Sequence, residues 1–146
     1  MHKRSVRSAI DAGALPVLVD LAIYSVSADV SSVTAGSLNA LLGLSSISTS
    51  HAQELVSAGC LVALRKCIRY RVAHTLVCDI LVNLINHGFL SEIIEKRIIP
   101  VLFDLIHNTH CQRLIGRVGC VIWNACQAAD FGVCFVLLWN IQNFPR

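Results

Sequence analysis

Charge is scarce in this chain. Asp, Glu, Lys and Arg together make up 14% of its 146 residues, where an average soluble domain carries roughly 25%. With a net charge of only +3, the chain lacks the broad basic footprint that nucleic-acid binding requires. Proline is equally rare, with three residues, so long helices are permitted over most of the length. No Cys-x-x-Cys pair occurs among the seven cysteines, which excludes the usual zinc and dithiol spacings. Their number is odd, and most lie in apolar periodic segments. They read as reduced, buried thiols of an intracellular protein. No Gly-x-Ser-x-Gly and no Gly-x-x-x-x-Gly-Lys is present, and no catalytic constellation emerges, so the chain does not read as an enzyme. A thiol-based enzyme is the one catalytic alternative. Met1 to Ala12 has no continuous apolar core, hence no secretory signal. The uncharged run Phe131 to Phe144 falls short of the ~20 residues of a membrane span and is broken by Asn140, Gln142 and Asn143.

What is abundant is apolar sequence, 55% of residues, and it is organised by a recurring stretch. Ala12-Gly13-Ala14-Leu15-Pro16-Val17-Leu18-Val19-Asp20-Leu21 returns as Ala58-Gly59-Cys60-Leu61-Val62-Ala63-Leu64. It returns again as Lys96-Arg97-Ile98-Ile99-Pro100-Val101-Leu102-Phe103-Asp104-Leu105. Gly13 to Gly59 is 46 residues, and Gly59 to Arg97 is 38. Self-similarity at about 40 residues marks a helical solenoid, whose units bury apolar faces against one another.

Each unit reads as a short, a middle and a long helix. In the first, Ser5 to Ala12 is the short helix and Gly13 its stop. Pro16 sits in the first turn of the middle helix, which carries Leu15, Leu18, Val19 and Leu21 inward and fades near Ser25. A long helix follows from about Ser32 to Ser46. In the second unit a capping box of Ser50 with Gln53 opens the short helix, Cys60 to about Tyr70 is the middle one, and Val72 to about His87 the long one. In the third, Ser91 caps the short helix, Ile99 to His107 is the middle helix, and a capping box of Thr109 with Gln112 starts the long helix to about Ala128. The units span about 5–47, 48–88 and 89–128. Residues 129–146 look like the start of a partial fourth, so the chain reads as a fragment of a longer array with an exposed apolar edge at its C-terminal end.

Three helices per unit, Ala-Gly between the first two and Pro near the start of the second resemble armadillo repeats, with the two-helix HEAT repeat as the competing assignment. The resemblance implies an all-α fold, a right-handed α-solenoid of about three armadillo-like three-helix repeats. It also implies a concave groove, lined by the third helices, that binds an extended peptide or protein. Aligning the long helices places Gly43, Asn83 and Asn124 at one site. Asn39, Asp79 and Cys120 stand four residues earlier. Gly36, Leu76 and Arg117 stand seven earlier, and Ser46, Asn86 and Gln127 three later. Such spacing shares one helix face. In armadillo proteins the asparagine binds the peptide backbone, and an amide suits that task because it both donates and accepts. The tryptophan that nuclear-import receptors carry four residues before the asparagine is absent, so basic nuclear signals are not the implied ligand.

The partner-binding candidates are therefore Asn39, Asp79, Asn83, Asn86, Arg113, Arg117, Asn124 and Gln127. Arg113 and Arg117, one turn apart, suit an acidic segment. His107, His110 and Cys111 offer metal-ligand chemistry but lack a fourth ligand at a recognisable spacing, so no metal and no cofactor is expected. The basic run Arg65 to Arg71, with its Tyr70, is compatible with phosphate contacts, but the favoured reading is a helix C-terminus, where cations oppose the dipole. The functional expectation is a protein-interaction module of a scaffold or adaptor, cytoplasmic with the nucleus open to it, with a protein or extended peptide rather than nucleic acid as the expected partner and no membrane span. The alternative is an assembly piece that self-associates through its apolar C-terminal end.

Overall fold

The computed structural model describes residues 3–129, and within them every regular element is helical. The order is α1 (Lys3–Asp11), α2 (Ala14–Ser27), α3 (Ser31–Ser45), α4 (Thr49–Ser57), α5 (Cys60–Cys67), a 3-10 turn (Arg71–Ala73), α6 (His74–Asn86), α7 (Leu90–Glu95), α8 (Ile98–His107) and α9 (Gln112–Ala128). Taken in threes, α1 to α3 and α7 to α9 lengthen in order, whereas in the second triplet α4, with 9 residues, is longer than α5, with 8, contrary to the expected short-middle-long order. The expected start of a fourth unit, and the apolar C-terminal end with it, lie outside the described residues.

The break between first and second helix is the same device each time. Gly13, Gly59 and Arg97 precede α2, α5 and α8 with φ of 87°, 89° and 59°. Each donates its N–H back to the helix it ends, to Ile10, Val56 and Ile94 respectively. The left-handed conformation is open to glycine without penalty, whereas an L side chain there costs roughly 1–2 kcal/mol. Arg97 adopts it nonetheless, so this turn is imposed by the packing of α7 and α8 rather than by the local residue. Pro16 and Pro100 follow in the first turns of α2 and α8, where a missing N–H leaves no helical bond unmade.

The buried faces follow the helical period. On α2 they are Leu15, Val19, Ala22 and Val26, and Leu18 is half-buried. Leu21 is exposed, contrary to expectation, because the inward stripe runs 15, 19, 22, 26 and the helix continues to Ser27. The polar Ser25 lies in this stripe. Its Oγ reaches Thr34 Oγ1 on α3 at 2.8 Å and the Ala22 carbonyl at 3.2 Å, so no buried hydroxyl is left unsatisfied. Leu38, Leu41, Leu55, Leu64, Ile80, Leu81 and Leu84 are fully buried. Burial of each contributes about 1.5–3 kcal/mol.

Helix starts depart further from expectation. Ser48, not Ser50, caps α4: its Oγ accepts from His51 N at 3.2 Å and contacts His51 Nδ1 at 2.7 Å. Gln53 instead reaches Ser57 within the helix. At α9 the first non-helical residue is Cys111, and Thr109 Oγ1 accepts its N–H at 3.1 Å. Ser91 lies inside α7, which begins after Phe89 without a side-chain cap. The middle helix of the second triplet stops at Cys67, and the chain reaches α6 through the 3-10 turn.

The most extensive packing is of α2 on α3 and of α6 on α9, followed by α3 on α6 and α2 on α5. Polar contacts join further parts of the chain. Arg7 on α1 pairs with Glu54 on α4 at 2.7 Å. Thr49 Oγ1 meets His87 Nδ1 at 3.0 Å. The Cys67 thiol lies 3.7 Å from the Ala22 carbonyl. No single helix among the described residues is long and apolar enough to cross a membrane. Only the pair Ser5–Asp11 and Ala14–Ser27, bent by 77°, has the length and composition.

Candidate functional site

The long helices that carry the candidate residues are neighbours, since α3 packs on α6 and α6 on α9. The members of the candidate stripe divide into two kinds. Asn39 on α3, Asn86 on α6, and Arg113 and Gln127 on α9 are exposed. Gly36 and Gly43 on α3 are exposed as well. A Cβ built on either glycine meets nothing within 4 Å, so open space stands over this part of α3. Asp79, Asn83, Arg117 and Asn124 are half-buried and already bonded within the protein.

Those bonds define what the stripe can do. Asn83 Nδ2 donates to Ser45 Oγ on α3 at 3.0 Å. Ser45 is fully buried and donates in turn to the Leu42 carbonyl at 2.7 Å. Arg117 Nη1 donates to Asp79 Oδ1 at 2.9 Å, tying α9 to α6. Both ties span 38 residues of sequence. Asn124 Nδ2 donates at 2.8 Å to the Cys120 carbonyl of its own helix. Asn83 thus joins two helices, and Asn124 is spent locally. Among the described residues, the amides of the stripe with no hydrogen-bond partner are those of Asn39, Asn86 and Gln127.

A second feature was not foreseen. A cleft of about 500 Å³ opens between the start of α6 and the start of α9. Arg69, Arg71, His74 and Thr75 line it from one side, Thr109, Cys111 and Arg113 from the other, and Leu114 completes it. The run Arg65 to Arg71 therefore splits. Arg65 and Lys66 sit in the last turn of α5, as dipole reasoning expects. Arg69 and Arg71 lie beyond it and turn to the cleft. The 38-residue offset was the signal available in the sequence, because it places Thr75 beside Arg113 and Arg71 beside Thr109. His74 Nε2 is buried without a hydrogen-bond partner among the described residues. Burial, and then Arg71, push its pKa below the ordinary histidine value of 6.5.

The histidine–cysteine run adds no metal centre to this picture. No group of three or more His, Cys, Asp or Glu is placed to hold a metal ion among the described residues. Cys60, Cys67 and Cys78 are buried free thiols, whereas Cys111, Cys120 and Cys126 are exposed. The expectation of general burial fails for α9 because its cysteines fall off the 114, 118, 121, 125 inward stripe. Compared with models of known protein families and with curated proteins, the chain matches none.

Proposed function

We propose that this chain is an intracellular protein-interaction module of armadillo type, a right-handed α-solenoid whose third helices line a concave groove for an extended peptide or protein segment. It acts as part of a scaffold or adaptor and performs no catalysis. The observation that carries this reading is the stacking of α3, α6 and α9, tied by Asn83–Ser45 and Asp79–Arg117 at one shared offset. Ties of this kind fix neighbouring helices in register and leave one row of side chains outward. That row offers Asn39, Asn86 and Gln127, each with a donor and an acceptor for a peptide backbone. The glycines Gly36 and Gly43 let a chain lie close to α3. Free thiols on the buried faces fit a reducing compartment.

Panning a random peptide library against the folded chain tests this reading. Selected peptides bind the parent protein, and Gly43→Trp, which fills the open space over α3, weakens them at least tenfold. Asn39→Ala with Asn86→Ala weakens them too. Lys66→Gln on α5 leaves binding unchanged. Peptides indifferent to Gly43→Trp and to the asparagine pair would place the binding surface elsewhere.

A further inference from the structure

We infer that the cleft between the starts of α6 and α9 receives a phosphomonoester dianion carried on a segment of the partner protein. The inference deepens the proposed function and rests on it, since Arg113 belongs both to the cleft and to the outward row of α9.

Arg69, Arg71 and Arg113 all line this space. None of them pairs with a carboxylate among the described residues. No acidic side chain lines the cleft. All three are exposed, so solvent screens their mutual repulsion and each is accessible to an incoming anion. Guanidinium forks match the oxygens of a phosphate two at a time, and a dianion balances several of them better than a single carboxylate does.

The remaining lining supplies hydroxyls and an imidazole. Thr109 Oγ1 accepts the Cys111 N–H at 3.1 Å, which leaves its own O–H free to donate. Thr75 brings a second hydroxyl from the first turn of α6. His74 lines the same cleft, and its buried Nε2 lacks a partner among the described residues. A dianion in the cleft would offset the burial and the Arg71 repulsion that now disfavour the charged form of His74. At about 500 Å³ the cleft falls within the range of ligand pockets, roughly 300–1,000 Å³, and admits a phosphorylated side chain with part of its backbone. A recess of this kind holds a tetrahedral head group from several sides, as a flat basic patch facing a membrane does not.

The experiment uses the whole chain and two probes. Phenyl phosphate is titrated in while the His74 ring resonances are followed by NMR. A phosphoserine-centred peptide library and its unphosphorylated counterpart are panned in parallel. Phenyl phosphate is expected to shift His74, and Arg71→Gln with Arg113→Gln to weaken it at least tenfold with an unchanged melting temperature. Phosphopeptides are expected to be enriched over unphosphorylated ones on the parent chain and not on the double variant. If phenyl phosphate binds but phosphopeptides gain nothing over it, the cleft takes small phosphates and the inference is overturned. Binding to phosphoinositide vesicles without phosphopeptide enrichment overturns it equally. If unphosphorylated peptides bind in a manner sensitive to Gly43→Trp and indifferent to the arginines, the groove reading stands and the phosphate inference alone fails.

Discussion

Asn83 on α6 donates its side-chain amide to Ser45 on α3 at 3.0 Å, and Ser45 passes its own proton to the Leu42 carbonyl at 2.7 Å. The asparagine therefore has a structural role that the groove analogy does not assign to it. One amide proton locks the seam between two long helices, and the acceptor oxygen is not needed for that lock.

Removing this amide is expected to destabilise the chain before it affects any ligand. Asn83→Ala loses one hydrogen bond across the seam, a net contribution of about 1 kcal/mol. Ser45 keeps its bond to Leu42, so Ser45→Ala in the Asn83→Ala background costs less than Ser45→Ala alone. Urea unfolding of the two single variants and the double variant would give a coupling energy of roughly 0.5–1 kcal/mol. Additive losses would show that the two side chains do not communicate.

The Asp79–Arg117 tie spans the next seam at the same offset but differs in kind. Its side chains are 32% and 40% exposed. A pair so accessible contributes below about 1 kcal/mol. At 1 M salt, where the screening length is about 3 Å, most of that is lost. Asp79→Asn should thus lower the urea midpoint at low salt and leave it nearly unchanged at high salt. Asn83→Ala should show the same loss at both.

These ties also mark how far the sequence could be read. The helices and their order follow from the recurring Gly and Pro and from apolar spacing, because those features act within a few residues of where they stand. Leu41, Leu81 and Val121 could be assigned to the core on that basis, and they are buried. Caps were less legible: Ser48 and Ser50 compete for α4, and the path of the chain from α3 decides between them. The cleft was least legible. Arg71 and Arg113 come from different triplets, and only the stacking of α6 on α9 sets them around one space. Whether a candidate side chain is free or already bonded, as Asn39 and Asn83 differ, is likewise a property of the neighbouring helix.

The turn between first and second helices gives a paired prediction in opposite directions. Gly59 holds φ 89°, and nothing lies within 4 Å of an added Cβ, so Gly59→Ala is penalised by backbone strain alone. A loss of about 1 kcal/mol is expected. Arg97 holds φ 59° with a side chain already present. Arg97→Gly relieves the strain, less the greater unfolded-state freedom of glycine, for a net gain of about 0.5 kcal/mol. Thermal melts should move down for the first and up for the second, by a few degrees at most. A fall in both would mean that the Arg97 side chain supports the turn.

The cysteines separate by face, and this yields a chemical and a pH test. Cys111, Cys120 and Cys126 are exposed on and beside α9 and should react with a thiol reagent in the folded state. Cys60, Cys67 and Cys78 should react only on unfolding, because burial pushes their thiols from 9.0 up to about 12, 11 and 12. The same shifts fix the sign of the alkaline response. Above about pH 9 the unfolded chain loses these protons while the folded chain keeps them, so the native state binds more protons and stability falls as pH rises. The full contribution of the buried thiols is present below pH 9 and is lost progressively toward pH 11–12. Urea midpoints measured from pH 8 to 10.5 should decline. The decline should lessen in Cys60→Ala and Cys78→Ala after allowance for their lower starting stability, and persist in Cys126→Ser. An equal slope in all three variants would assign the alkaline loss to other groups and return the burial of these thiols to question.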